Sequence, residues 1–128
     1  MVMFHKSLDV YQLSLDFIDL AAVIVKQIPR GQSYLSDQLR RAASSIVFNI
    51  GEGAGEFAKS EKARFYRMAL RSGTECAAII DVIYRFGIID ATLHERCDRL
   101  LDRIVAMLTK LILSAQKNSQ MHPQINRS

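Results

Sequence analysis

The chain has 128 residues, 49% of them hydrophobic and 23% charged, which is enough for one domain with its own core and too little for two ordinary ones. Six glycines, two prolines and two cysteines exclude a low-complexity disordered chain and a disulfide scaffold. Basic residues exceed acidic ones by four, and the resulting isoelectric point near 9.3 favours contact with nucleic acid or an acidic surface.

The opening segment, MVMFHKSLDVY, lacks the basic stretch, apolar core and small-residue cleavage site of a secretory leader. The longest apolar run, Leu20 to Val25, falls far short of the ~20 residues that cross a bilayer. The expectation is a cytoplasmic protein with no membrane contact, in which Cys76 and Cys97 are reduced, buried thiols.

Leu8, Tyr11, Leu15, Ile18, Ala22 and Val25 recur at helical steps and predict a first helix from residue 7 or 8 to about 27, with Ser7 as N-cap. Val10, Leu13, Phe17, Leu20 and Ile24 lie off that stripe, so the helix is apolar around more of its circumference than one seam needs. Pro29-Arg30-Gly31 ends it. A second helix starts near Ser33, carries Leu35, Leu39, Ala42, Ala43, Ile46 and Ile50, and exits near Gly53 or frays through Phe57.

Ser60 is the expected cap of a third helix with Phe65, Met68, Ala69, Ser72, Cys76, Ile79, Ile80, Ile83 and Phe86 on its apolar face, ending at Gly87. Asp90 caps a fourth, whose Leu93, Cys97, Leu100, Leu101, Ile104, Met107, Leu108 and Leu111 continue to about Ala115. Short connections between long helices predict an all-α, antiparallel up-down-up-down four-helix bundle over residues 1–116, followed by a mobile tail at 117–128.

No familiar catalytic motif is complete. Gly51-Glu52-Gly53-Ala54-Gly55 follows a helix and is not followed by Lys-Ser/Thr, so it reads as a helix exit and not a phosphate loop. The three histidines, His5, His94 and His122, form no Glu-x-x-His pair and read as solvated, so neither a metal nor another cofactor is expected. Ser45, Asn49 and Glu52 on the second helix, facing Ser72 and Glu75 on the third, read as a structural polar network that sets register. A catalytic role for Asn49, Glu52 and Glu75 would require a bound metal or ligand among them.

Lys59, Lys62, Arg64, Arg67 and Arg71 crowd the start of the third helix with Glu61 as the acid among them, and Arg40 and Arg41 lie on the second. Lys59, Lys62 and Arg67 do not all share one face with Arg64 and Arg71, so the cations wrap the helix. These residues are either a solvated surface or a phosphate-contacting patch, with Tyr66 and Phe57 available for stacking. Sequence physics leaves both readings open.

The segment from Ile28 to Val82 resembles the four-helix-bundle family of proteins encoded in intervening sequences of bacterial 23S ribosomal RNA genes. The likeness rests on Ile28-Pro29, Leu39-Arg40-Arg41-Ala42, Ser45-Ile46, Asn49-Ile50-Gly51-Glu52-Gly53, Lys62-x-Arg64-Phe65, and Ser72 with Glu75. Leu8-Asp9-Val10-Tyr11 and Leu100-Leu101-x-x-Ile104-x-x-Met107-Leu108 extend it over about residues 7 to 114. One departure is Gly51, where the family commonly has Ala. The resemblance implies a basic homopentamer related to the accessory variability determinant of diversity-generating retroelements, and nothing in it implies catalysis. Two functions follow as expectations: non-catalytic binding of RNA or structured nucleic acid through Arg40, Arg41, Lys59, Lys62, Arg64, Arg67 and Arg71, or a protein-interaction scaffold such as an accessory subunit of a reverse transcriptase.

Overall fold

The computed structural model describes the backbone of residues 8–127 and the side chains of residues 8–117. Four helices, α1 (Asp9–Gln27), α2 (Ser33–Ala54), α3 (Lys59–Arg85) and α4 (Ala91–Arg127), with one 3-10 turn (Arg30–Gln32) between α1 and α2, account for its regular structure. No strand occurs among the described residues.

The helix ends follow local chemistry where the sequence supplies it. Ile28 is held extended (φ −76°, ψ 123°) ahead of Pro29, which stops α1. After α3, Gly87 takes φ +76°; its N–H donates to Tyr84 O and that of Ile88 to Ile83 O, the paired bonds of a Schellman turn. The Asp90 carboxylate accepts from the Leu93 N–H at 2.8 Å and starts α4. Elsewhere the expected caps differ: α1 has Leu8 as N-cap without a side-chain bond, and Ser7 lies outside the described residues. Ser60 falls inside the first turn of α3, whose N-cap is Ala58. That start is fixed from α2, by contacts described below.

Each helix packs on its neighbours in the chain, and α1 also meets α4, which closes a four-helix bundle. The α2/α3 pair is antiparallel, because Ser45 meets Ser72 while Gly53 meets Tyr66 further down α2 and further up α3. The α3/α4 pair is antiparallel by the same logic, with Asp81 beside His94 and Gly73 facing Val105. Residues 28–32 can span at most ~17 Å, too little to return to the start of a helix about 30 Å long, so α2 must run back along α1.

The core joins Leu35, Leu39, Ala42, Ala43, Ile46 and Ile50 of α2 to Ile79, Ile80 and Ile83 of α3 and Cys97, Leu101, Ile104 and Leu108 of α4, as periodicity predicts. Two faces differ from the sequence reading. Helix α1 buries Val10, Ser14, Phe17, Ala21 and Ile24, while Leu15 of the expected stripe is 36% exposed. Ser14 can sit in the core because its Oγ donates to Tyr11 O at 2.6 Å. The first half of α3 buries Ala63 and Tyr66, leaving Met68 exposed and Phe65 half-buried. Helix α4 does not stop near Ala115 but continues to Arg127. The side chains of 118–128, most of the expected tail, lie outside the described residues.

Candidate nucleic-acid interface

At Gly53 an α3 side chain lies directly against the α2 backbone. A Cβ there would stand 2.6 Å from Tyr66 Cε1, so the absent side chain is what lets the buried Tyr66 ring lie against the α2 backbone. One helical turn before Tyr66, Lys62 Nζ donates to Gly53 O at 2.7 Å and Ala54 O at 3.2 Å. It thereby adds a charged donor to Gly53 O, which also accepts from the Glu56 N–H at 3.3 Å, and supplies one to Ala54 O at the negative end of α2. Burial pushes the Lys62 pKa down, Lys59 adds to the effect and Glu56 opposes it. Lys62, predicted as a phosphate contact, is therefore engaged within the fold, and the buried Tyr66, whose hydroxyl burial also shifts upward, is not presented for stacking.

The remaining cations of α3 divide by partner. Arg64 donates through Nε (3.1 Å) and Nη2 (2.9 Å) to Glu61 Oε2 and lies 4.8 Å from the Phe65 ring centroid. Arg67 and Arg71 are exposed and make no ion pair among the described residues, as do Lys59 on this helix and Arg40 and Arg41 on α2. Arg64, Arg67 and Arg71 are spaced i, i+3, i+7, which puts them on one face of α3. The cations thus form a stripe with Lys62 turned away from it, where the sequence reading wrapped them around the helix.

Arg40 and Arg41 do not join that stripe directly. The antiparallel pairing of Ser45 with Ser72 sets Arg41 level with about residue 76 of α3, roughly 8 Å along the axis beyond Arg71. Arg40 instead borders a groove between α1 and α2, of about 290 Å³, lined by Ile18, Ala22, Val25, Lys26 and Ala43. A further cationic row, Arg96, Arg99 and Arg103 of α4 around Leu20 of α1, escaped sequence reading. Its i, i+3, i+7 spacing was the available signal, obscured by the neighbouring Asp98 and Asp102.

The polar network is smaller than expected. Ser45 Oγ accepts from Ser72 Oγ at 2.9 Å and Asn49 Nδ2 at 3.0 Å, and Asn49 Nδ2 also donates to Ser45 O at 2.8 Å. Glu52 and Glu75 are exposed and make no hydrogen bond to it. Every buried side-chain N or O atom among the described residues has a partner. Cys76 and Cys97 are free and buried, with burial raising their pKa values to about 12 and about 11.

His94, read as solvated, is instead 21% exposed, stacked on Tyr84 at 4.3 Å and 2.9 Å from Asp81 Oδ1. Two residues distant in sequence frame it, which no local pattern reveals.

No described helix is long and apolar enough to cross a membrane. A comparison with curated proteins gives no match. The family model described as 23S rRNA-intervening sequence protein matches residues 6–110, a span that takes in α1, α2, α3 and the first half of α4. The chain belongs to the 23S rRNA-intervening sequence protein family.

Proposed function

We infer that this protein is a non-catalytic, cytoplasmic RNA-binding bundle that works as a homopentamer. The observation that carries the reading is the exposed stripe around Arg67 and Arg71, cations without acidic partners. Arg64 extends it, Lys59 flanks it on α3, Arg41 adds a separate positive charge on α2 beyond its end, and a family described by its place within 23S rRNA supports it. Unpaired cations on a rigid helix neutralise phosphates and release counterions, so binding is strong at low salt and falls steeply as salt rises. Arg40 contributes at the edge, and Lys62 contributes by holding α2 against α3.

Gel shifts of the full chain with structured RNA across a salt series test this. The double variant Arg67→Glu, Arg71→Glu is expected to bind at least tenfold more weakly at low salt and to lower the slope of log affinity against log salt by about 2. Unchanged affinity and slope, or no binding by the parent chain at moderate salt, would overturn the proposal.

A second reading, a protein-interaction scaffold, is favoured by Phe48 and Phe57, which are 67% and 90% exposed. Cross-linking of the same preparation separates the two: a protein adduct lost in Phe48→Ser with RNA affinity absent supports the scaffold.

A further inference from the structure

Beyond RNA contact, the turn between α3 and α4 brings together a different chemistry. Asp81 of α3 and His94 and Asp98 of α4 each offer a ligand atom, and these atoms lie within 4.8 Å of one another. His94 Nε2 is 2.9 Å from Asp81 Oδ1 and 3.7 Å from Asp98 Oδ2. Donors about 2.0–2.2 Å from a tetrahedral zinc stand some 3.4 Å apart, so the two spacings bracket what one ion needs.

We propose that Asp81, His94 and Asp98 form a binding site for one divalent transition-metal ion of the zinc class, which clasps α3 to α4 beside the Gly87 turn. The imidazole is placed before any ion arrives: stacking on Tyr84 (13°, 4.3 Å) holds its plane, and Nε2 already lies beside both carboxylates. His94 and Asp98 are one helical turn apart and chelate from the same face of α4. The backbone beneath them is fixed by the Asp90 cap and the turn at Gly87, so the donors ride on rigid elements. Two carboxylates balance the charge of a divalent ion, and the nitrogen selects zinc, cobalt or nickel over magnesium or calcium. Asp81 and Asp98 are 63% and 44% exposed, which gives the ion an entry path and a fourth position for water.

The competing role is a plain ion pair that holds helix register. Titration calorimetry of chelator-treated full-length chain with Zn²⁺, and with Mg²⁺ as control, distinguishes them. One Zn²⁺ per chain is expected, with no saturable Mg²⁺ uptake. Asp98→Asn preserves the short Asp81–His94 contact but removes a donor; it is expected to weaken Zn²⁺ binding at least tenfold while the metal-free melting temperature is unchanged. His94→Gln is expected to abolish uptake, and Arg67→Glu to leave it intact. Absence of saturable Zn²⁺ binding, or Zn²⁺ affinity retained in both Asp98→Asn and His94→Gln, would overturn the site.

Discussion

Gly51 and Gly53 stand two residues apart on α2 and answer to different constraints. Nothing lies within 4 Å of a Cβ built on Gly51, whereas one on Gly53 meets the Tyr66 ring. Gly51→Ala is therefore expected to stabilise the protein by about 0.5–1 kcal/mol by removing backbone freedom from a helical position. Gly53→Ala is expected to cost about 1–3 kcal/mol by overpacking against a side chain with no room to retreat. Urea denaturation of the two variants checks both signs. The sequence reading recognised this glycine cluster as a helix exit from its context, but Gly53's role depends on Tyr66, thirteen positions onward, and no local pattern carries that. The buried thiols give a second expectation. Unfolded cysteines ionise near pH 9, while Cys76 and Cys97 hold their protons to about 12 and about 11. Their pKa values are raised by folding, so the associated stability is complete below pH 9 and drains as pH climbs through 11 to 12. Chemical denaturation between pH 8 and 11 is expected to show this loss, with a shallower slope in Cys76→Ala, whose cavity cost is the same at every pH.

At the level of elements, α2 and α4 were readable because their apolar residues form one stripe each. Helix α1 was not, since Leu15, Ile18 and Val25 compete with Val10, Phe17 and Ile24 for the same helical period. Packing chose the face carrying Phe17 and two small residues, Ser14 and Ala21, and a scale that counts Ser as polar votes against that face. The α2/α3 junction is held by Lys62, a residue whose charge made it look like a surface contact. Lys62→Met keeps the aliphatic stem and removes only the ammonium. It is expected to destabilise the protein by about 1 kcal/mol through the donor lost from the carbonyls of α2 while changing RNA affinity less than twofold. Paired melting and gel-shift measurements test that combination, and a drop in affinity equal to that of the Arg67/Arg71 variant would return Lys62 to the interface.

For the molecule as a whole, charge and apolar surface are distributed by the bundle and not by sequence proximity. Arg40-Arg41 and Arg67 to Arg71 look like one patch on paper, yet antiparallel pairing separates them along the axis, and Arg96, Arg99 and Arg103 form another row beside Leu20. The exposed Leu15 of α1, beside the groove shared by Ile18, Ala22 and Ala43, gives the proposed pentamer an apolar face. Light scattering at micromolar concentration is expected to return a pentamer that Ala22→Glu dissociates; a monomeric parent chain sinks that assembly.

The order of packing also bears on how the chain is made. The contacts α1/α2, α2/α3 and α3/α4 each join successive helices, and α1/α4 alone joins distant ones. During synthesis, three helices can therefore pair as they emerge, while the part of α1 that packs on α4 is covered only once α4 is made. Closing the bundle through α1/α4 is thus the contact with the largest loop-closure cost, since it joins the two ends of the helical sequence.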